Sequence, residues 1–312
     1  MKAWQFVTEN QPLALHDVSE PAPGPGELVL DVKGAGICHS DVGFIDGTLT
    51  GLLPKRPITL GHEIAGVVSA VGPEVTEFSI GQSVAIPCDI PTPGTSMDGG
   101  FAEKVLTPVK FVIAIPEGVP FDQAAAATDA GMTSYHAAIT VGGVKAGHKV
   151  GIIGLGGLGS LAVQICVGAG AEVYAAEINE KVWDLGKQLG ATAVAKDIRE
   201  FADQYLDVII DYAGFGATTA GAIDTVRPDG MVVQVGLGRP EGTINLQRLT
   251  LSRLTLVGSQ AGTQEDCAAV LKLISEGKLN ANITNISFDE IGEGIQKLER
   301  GEVIGRLVAV RD

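Results

Sequence analysis

One stretch, residues 148–177, constrains the fold of this chain more than any other. A short apolar run leads into Gly-Leu-Gly-Gly-Leu-Gly at 154–159, a helix-forming segment follows, and a second β-rich run ends at Glu177. A strand, a tight glycine turn, a helix, a strand and an acidic residue, in that order, form the unit that binds the pyrophosphate and ribose of a dinucleotide. We therefore predict a dinucleotide-binding turn at this point.

Each position of the glycine motif has a physical task. Gly154 permits the turn, Gly156 lets the backbone approach a pyrophosphate, and Gly159 lets the helix lie close to the strand. Gly157 and Leu158 open the helix. The N terminus of that helix presents unpaired N–H groups and the positive end of its dipole to the phosphates.

This stretch has two other interpretations. The chain contains 42 glycines, so a glycine-rich turn without a ligand is one alternative. A membrane span is another, because residues 150–171 carry no charge and are long enough to cross a bilayer. The glycine content, the β-type start and the lack of a second such segment argue against the span.

Glu177 predicts which dinucleotide binds. Its carboxylate would accept a hydrogen bond from the free 2′-hydroxyl of NAD and would repel the 2′-phosphate of NADP. Lys181 is a weak signal in the opposite direction, and no Arg follows Glu177. We expect NAD as the cofactor.

Composition limits the partners and the compartment. The chain has 22 Lys and Arg against 37 Asp and Glu, a net charge of −15. This disfavours nucleic acids and acidic membranes as partners, because both bind basic surfaces. The four cysteines are too widely spaced for a disulfide framework, and the N terminus does not resemble a signal peptide. We expect a cytoplasmic protein.

The pattern of the chain predicts its secondary structure. Short β-rich runs separated by turns lie at 27–35, 64–71, 82–86, 101–106 and 111–115. Residues 124–140 are alanine-rich and favour a helix. Strands are then predicted at 149–154, 172–178, 192–196, 206–212, 230–236 and 254–259. Helices are predicted near 157–168, 180–189, 198–204, 216–226, 245–251, 263–277 and 288–300, before a last strand at 305–310.

Six strands that alternate with helices predict an α/β fold with a doubly wound, six-stranded parallel sheet. The length of 312 residues suggests two domains. We expect the β-rich domain to recruit the C-terminal segment. The predicted domains are therefore 1–121 with 260–312, and 122–259.

A second group of residues suggests a metal. Gly-Ile-Cys-His-Ser-Asp at 36–41 sits in a turn after a predicted strand, and Gly-His-Glu at 61–63 precedes another. A thiolate, an imidazole and carboxylates are ligand types that zinc accepts. Neither piece is diagnostic alone, and a structural or coincidental Cys-His pair is the alternative.

Taken with the glycine motif, these two pieces carry a resemblance. The order of 36–41, 61–68 (Gly-His-Glu-Ile-Ala-Gly-Val-Val) and 154–159 is similar to the zinc-dependent alcohol dehydrogenases of the medium-chain dehydrogenase/reductase family. The similarity runs along essentially the whole chain, including Asp-Gly-Gly-Phe-Ala-Glu at 98–103. It implies a GroES-like catalytic domain, a Rossmann domain and an active site in the cleft between them.

The resemblance also implies a set of zinc ligands. Cys38 and His62 match the first two catalytic ligands of the family. The third is commonly Cys, but some bacterial members have Asp in the motif Asp-Ala-Gly-x-Thr, and Asp129 stands at that place here. Cys, His and Asp carry the same charge as two thiolates and His. A carboxylate at a helix N terminus is the alternative interpretation of Asp129.

Residues around these ligands acquire roles by the same resemblance. Glu63 matches the family's carboxylate behind the metal, and Asp41 matches the partner that orients the His ligand. Ser40 would hydrogen-bond the substrate oxygen, and His39 would lie near the cofactor. Many relatives have a relay His where this chain has Gly43, so we expect a shorter or water-mediated proton path.

Further cofactor contacts are implied in the same way. Thr133 and Leu158 would back the nicotinamide ring, and Arg306 would contact the pyrophosphate. A solvated surface Arg is the alternative for Arg306. Six residues suggest an apolar substrate pocket, although such residues also form ordinary core: Phe44, Ile45, Leu49, Leu52, Leu53 and Ile86.

The chain departs from many relatives in one segment. Relatives often carry a four-cysteine lobe that binds a structural zinc, but residues 87–98 contain one cysteine, Cys88. One thiolate cannot build a tetrahedral thiolate site, so we predict one catalytic zinc per chain and no structural zinc. Cys166 and Cys267 fall in predicted helices and are interpreted as small buried residues.

The predicted function is the interconversion of alcohols, secondary or aromatic, and ketones or aldehydes by hydride transfer with NAD. The apolar edge strand at 254–259 predicts a homodimer or homotetramer. A zinc-free medium-chain reductase of quinones or enones is the rival enzyme. A nucleotide-binding protein without catalysis is the alternative from another class.

Overall fold

The computed structural model describes residues 1–89 and 91–311. The strands are β1 (Lys2–Phe6), β2 (Ala14–Asp17), β3 (Glu27–Ile37), β4 (Ile58–Thr59), β5 (Glu63–Val71), β6 (Ser83–Ile86), β7 (Lys104–Pro108), β8 (Ile113–Ala114), β9 (Lys149–Ile153), β10 (Glu172–Ala176), β11 (Ala193–Ala195), β12 (Val208–Asp211), β13 (Met231–Gln234), β14 (Thr255–Gly258), β15 (Ile283–Ser287) and β16 (Arg306–Val310).

The α-helices are α1 (His39–Asp46), α2 (Phe121–Ala126), α3 (Met132–Tyr135), α4 (Gly157–Gly168), α5 (Trp183–Gln188), α6 (Ala217–Thr225), α7 (Leu246–Leu251), α8 (Gln264–Ser275) and α9 (Ile291–Glu299). The π-helical segments in the described part of the chain are Ala127–Gly131 and His136–Val141. Within the described residues, the 3-10 segments are Thr50–Leu52, Val109–Phe111, Glu180–Val182, Ile198–Gln204 and Phe288–Glu290. None of these helices has both the length and the apolar character needed to cross a membrane.

The chain forms two compact units. The first comprises Met1–Asp129, Thr263–Gly277 and Ala281–Asp312, apart from the two residues outside the description, Ile90 and Asp312. The second comprises Ala130–Gly262 and Lys278–Asn280.

The first unit is built on antiparallel strands. Its larger sheet has the order β15-β16-β3-β5-β6-β8, with β7 also paired to β3, and a smaller sheet has the order β2-β1-β4. Fully buried side chains of the central strands form its core, among them Leu28, Leu30, Ile37 and Ile64. The register of β3 and β5 pairs Gly36 with Glu63. It therefore brings the end of β3 to the start of β5.

The second unit is a parallel six-stranded sheet in the order β11-β10-β9-β12-β13-β14. Its central strands are nearly continuous apolar runs because both faces of a parallel sheet are covered by helices. Ile209 and Val232, both fully buried, belong to its core with Ile223 of α6. This sheet confirms the predicted α/β class, and each of its strands overlaps the predicted run.

Several local predictions differ from the structure. Strands β1, β2, β4 and β15 were not predicted; β4 has two residues, and β15 follows an asparagine-rich stretch that favours turns. Strand β7 lies further along the chain than the predicted run at 101–106. The predicted helix at 124–140 alternates between α and π geometry, and the one at 198–204 is a 3-10 helix.

Candidate functional site

Four side chains of the first unit converge on one point. Cys38, His62, Glu63 and Asp129 each offer a ligand atom, and these atoms lie within 4.8 Å of one another. The Cys38 thiol donates to Asp129 Oδ2 at 3.4 Å, and His62 Nε2 lies 3.7 Å from the same oxygen. A thiol, an imidazole and two carboxylates at this spacing fit zinc in donor type and number.

The fold explains why these residues meet. Cys38 follows the last residue of β3 and His62 precedes the first residue of β5, and these two strand ends are paired. Asp129 lies in the π-helical segment Ala127–Gly131. Single π turns inside helices occur often at functional sites, because the extra residue reorients the side chains that follow.

Asp41 supports the cluster from behind. Its carboxylate is fully buried in α1, where Oδ2 accepts a hydrogen bond from the backbone N–H of Cys38 at 2.9 Å. Oδ1 lies 3.4 Å from Nδ1 of His62. Nε2 of His62 is therefore directed toward Asp129. A carboxylate placed as Asp41 is orients a metal-binding histidine.

The charge around His62 favours its protonated form. Burial alone would lower the pKa of His62, but the carboxylate of Asp41, with other anionic groups, holds the pKa well above its ordinary value. A metal must displace that proton, so metal binding at this cluster would release protons.

Arg306 supplies a buried positive charge to the same cluster. Its side chain is 5% exposed. Its guanidinium binds both oxygens of Glu63, with Nε 3.0 Å from Oε2, and Nη2 lies 3.3 Å from Asp129 Oδ2. The sequence did not reveal this pairing. A single basic residue in the otherwise apolar strand β16, which lies beside β3, was the available signal.

Two further predicted residues border the cluster. Ser40 is partly buried, and its Oγ lies 3.6 Å from the Cys38 Sγ. His39 opens α1 and is exposed. Ser40 is therefore close enough to act on a group held by the cluster.

The residues of the predicted apolar pocket differ in burial. Phe44 is 4% exposed and Ile86 is fully buried, and both belong to the core of the first unit. Leu52 is 69% exposed. The apolar pocket therefore stays a prediction.

The glycine motif of the second unit has the geometry of a dinucleotide cradle. Gly154 has φ +90°, a conformation that side chains disfavour. A Cβ on Gly159 would lie 1.8 Å from the carbonyl oxygen of Gly154, so only glycine lets α4 pack this closely on the turn. Gly156 precedes α4 and Gly157 is its first residue. The first turn of α4 therefore directs its free N–H groups at this turn.

Glu177 lies beside the cradle at the end of β10. Its Oε2 accepts a hydrogen bond from the backbone N–H of Leu155 at 2.8 Å, and its Oε1 accepts from Asn179 at 2.8 Å. Lys181 is exposed in the 3-10 segment that follows. Glu177 thus both orders the glycine turn and stays partly accessible.

Thr133 and Leu158 belong to α3 and α4 of this unit. Thr133 is buried in α3, next to Ser134, whose hydroxyl donates to the Leu158 carbonyl at 2.9 Å. The helix that carries Thr133 is therefore hydrogen-bonded to the start of α4, where Leu158 lies.

The cysteines outside the cluster are all buried and free of disulfides. Cys166 and Cys267 are fully buried in α4 and α8, and burial raises the pKa of the Cys166 thiol to about 12. Among the residues described, the group of Cys38, His62, Glu63 and Asp129 is the one that gathers three or more candidate ligands. Ile90, within the segment 87–98, lies outside the description.

Known proteins resemble this chain over nearly its full length. Residues 24–117 match the family described as alcohol dehydrogenase GroES-like domain, and residues 157–276 match the family described as zinc-binding dehydrogenase. An alcohol dehydrogenase of Geobacillus stearothermophilus is 31% identical, with 99% of each chain covered.

Solved structures agree with this similarity. An acetophenone reductase of Geotrichum candidum, in complex with NAD, has a TM-score of 0.90 and 32% identity, covering 99% of this chain and 97% of that one. An alcohol dehydrogenase of Aeropyrum pernix has a TM-score of 0.91 and 29% identity, covering 100% of both chains. The sequence and the fold of the chain that carries the cluster and the glycine turn are therefore both similar to those of one protein family.

Proposed function

Because this chain belongs to the zinc-dependent alcohol dehydrogenases of the medium-chain dehydrogenase/reductase family, we propose that it interconverts secondary or aromatic alcohols and their carbonyl products with NAD. The observation that carries the proposal is the convergence of Cys38, His62 and Asp129, with Asp41 behind His62. An acetophenone reductase among the relatives supports an aromatic ketone as the class to test first.

In this proposal one zinc ion is held by Cys38, His62 and Asp129. When bound there, zinc would supply Lewis acidity toward the oxygen of the alcohol or carbonyl substrate. Ser40, 3.6 Å from Cys38 Sγ, would hold the proton of the substrate hydroxyl. Gly43 stands where many relatives have a relay histidine, so water would carry the proton from Ser40 outward.

Two carboxylates would prepare the ligands. Asp41 would fix the ring of His62 so that Nε2 faces the metal. Glu63, already neutralised by Arg306, would add a nearby oxygen without a net charge. Arg306 was expected at the pyrophosphate. Its contacts with Glu63 and Asp129 support a role beside the metal cluster as well.

NAD is the proposed cofactor. Two observations support a dinucleotide turn here: Gly154 has φ +90°, and a Cβ on Gly159 would lie 1.8 Å from the carbonyl oxygen of Gly154. The carboxylate of Glu177, next to this turn, would bind the ribose diol and repel a 2′-phosphate.

We retain the absence of a structural zinc as part of the proposal, because residues 87–98 hold one cysteine. The domain limits 1–121 with 260–312 and 122–259, and a cytoplasmic location, also stay predictions.

We also propose a homodimer or homotetramer. Strand β14 is the last strand of the parallel sheet, so its outer backbone edge has no sheet partner within the described residues. Three leucines of β14 and α7 are exposed, Leu246 at 66%, Leu251 at 70% and Leu256 at 39%. An apolar edge strand of this kind is normally covered, and a second copy of the chain would cover it.

One experiment separates the proposal from its rivals. Zinc content and NAD reduction are measured on the same purified sample, across primary, secondary, cyclic and aromatic alcohols. We expect about one zinc per chain and NADH formation with some of the alcohols. An absence of zinc with reduction of quinones or enones would favour the zinc-free reductase. Zinc without any turnover would favour a non-catalytic nucleotide-binding protein.

A further inference from the structure

A buried carboxylate of the second unit has no place in the site described above. Asp211 ends β12 and is fully buried. Its Oδ1 accepts hydrogen bonds from the backbone N–H groups of Ala213 and Gly214, at 3.0 and 2.9 Å. Its Oδ2 accepts from the hydroxyls of Thr218 and Thr219, at 2.7 and 2.9 Å. All four donors are uncharged groups, two backbone amides and two hydroxyls.

These bonds fix the loop after β12 against the glycine turn. The backbone N–H of Tyr212 donates to the carbonyl of Ile153, the residue before Gly154, at 3.0 Å. A Cβ on Gly154 would lie 3.6 Å from the Cβ of Ala213, an ordinary van der Waals contact. The loop that Asp211 orders is therefore the direct neighbour of the predicted pyrophosphate cradle.

Asp211 also joins this loop to the one after β13. The hydroxyl of Thr219, which reaches Asp211, lies 2.8 Å from Oε1 of Gln234, and Nε2 of Gln234 donates to the carbonyl of Gly236 at 2.8 Å. The backbone N–H of Gly236 donates to the carbonyl of Asp211 at 2.9 Å. A Cβ on Gly214 would lie 1.9 Å from the carbonyl oxygen of Gly236, so the two loops are in backbone contact.

The order of strands shows which part of a dinucleotide these loops meet. The sheet has two halves, β9 to β11 and β12 to β14, and they meet where β9 lies beside β12. In doubly wound sheets each half binds one nucleotide at the carboxyl ends of its strands, and the pyrophosphate crosses at the junction. The half that carries Glu177 takes the adenosine. The loops after β12 and β13 then face the nicotinamide nucleotide.

We propose that Asp211 is a positioning residue for the nicotinamide half of the bound dinucleotide, acting through the loops after β12 and β13. This inference rests on the proposed NAD-dependent function. Because Asp211 is fully buried, it would touch neither cofactor nor substrate. Its carboxylate holds backbone in the place that the nicotinamide nucleotide needs.

The test compares binding of NADH with binding of AMP, which occupies the adenosine half alone. Asp211→Ala removes the carboxylate, and Asp211→Asn keeps one oxygen for the two backbone donors. Asp224→Asn is the matched control, because Asp224 lies on the adjacent helix α6 and its carboxylate bonds Arg199 at the surface. Thr219→Val and Thr219→Ser form a second pair, in which only the serine keeps the hydroxyl.

We expect Asp211→Ala to weaken NADH binding on the order of tenfold or more, Asp211→Asn to weaken it less, and AMP binding to change less than about twofold in both. Thr219→Val should weaken NADH binding in the same direction, and Thr219→Ser and Asp224→Asn should match the wild type. In the Asp211→Ala variant, KM for NAD should rise more than KM for the alcohol.

Three results would overturn the inference. One is a folded Asp211→Ala protein that binds NADH as the wild type does. The second is an equal loss of NADH and AMP, which would make Asp211 a general support of the sheet. The third applies if Asp211→Ala does not fold. It is NADH binding that is unchanged in both Asp211→Asn and Thr219→Val. A wild-type protein that binds zinc and turns over alcohol without binding NADH would contradict the proposed cofactor, and this inference would fall with it.

Discussion

Arg306 Nη2 lies 3.3 Å from Asp129 Oδ2, and the same guanidinium binds Glu63. The third predicted zinc ligand and the carboxylate behind the metal thus share one buried cation. Removing one partner of a buried ion pair leaves an uncompensated charge, which costs about 3–5 kcal/mol.

We therefore predict that Arg306→Met destabilises the protein, and that the loss is larger after chelation of zinc. A metal would itself neutralise Glu63 and Asp129, so the loaded variant should recover part of its stability. Thermal unfolding of wild type and variant, with chelator and with zinc, measures both losses. The reverse order, with the larger loss in the zinc-loaded protein, would show that Arg306 does not compensate these carboxylates.

Asp129 should be required for zinc. Asp129→Ala is expected to reduce the zinc content to a small fraction of the wild-type value and to abolish alcohol oxidation. A catalytic zinc takes three protein ligands, and the remaining carboxylate of the cluster, Glu63, is paired with Arg306. Asp129→Cys supplies the ligand that is common in the family and should retain zinc. Asp122→Ala, in the first turn of α2, is the control. Elemental analysis after dialysis gives the answer, and a wild-type zinc content in Asp129→Ala would remove Asp129 from the ligand set.

Glu177 should set the preference for NAD. Its Oε2 also orders the glycine turn through Leu155, so Glu177→Ala is expected to raise KM for NAD by about tenfold or more, about 1.4 kcal/mol. Glu177→Gln keeps an acceptor oxygen and loses the charge, so it should mainly improve the use of NADP. The ratio of kcat/KM for NAD and NADP tests this, with Glu180→Gln as control. A ratio unchanged in both Glu177 variants would assign the preference elsewhere.

The edge strand β14 should form the contact between copies. Leu256→Lys places a charge on this edge and is expected to convert the oligomer to a smaller species. Ile80→Lys, which changes a 67% exposed apolar residue of the first unit, should leave the oligomer intact. Sedimentation equilibrium measures the mass of each. Retention of the wild-type mass by Leu256→Lys would exclude β14 as the contact.

The parallel sheet was predictable because its strands are buried on both faces and appear as short apolar runs between turns. Strand β15 could not be recognised from its exposed sequence, since pairing with β16, not burial, holds it in place. The π geometry of Ala127–Gly131 is likewise invisible in an alanine-rich stretch, because propensity does not distinguish π from α turns.

The candidate site was predictable in its parts and not in its connections. Cys38 and His62 follow from short motifs, and Asp129 follows from the family resemblance. The pairing of Arg306 with Glu63 depends on the register of β16 against β3, a contact between the two ends of the chain. The hydrogen bonds of Asp211 depend in the same way on loops that only the folded sheet brings together.

Zinc X-ray absorption spectroscopy of the purified protein tests the central claim most directly, because it counts the sulfur ligands of the bound metal. We predict about one zinc per chain with a single sulfur ligand at about 2.3 Å, from Cys38, and nitrogen or oxygen at about 2.0–2.2 Å, from His62, Asp129 and solvent or substrate. Two or more sulfur ligands per zinc, or a protein that holds no zinc, would contradict this account.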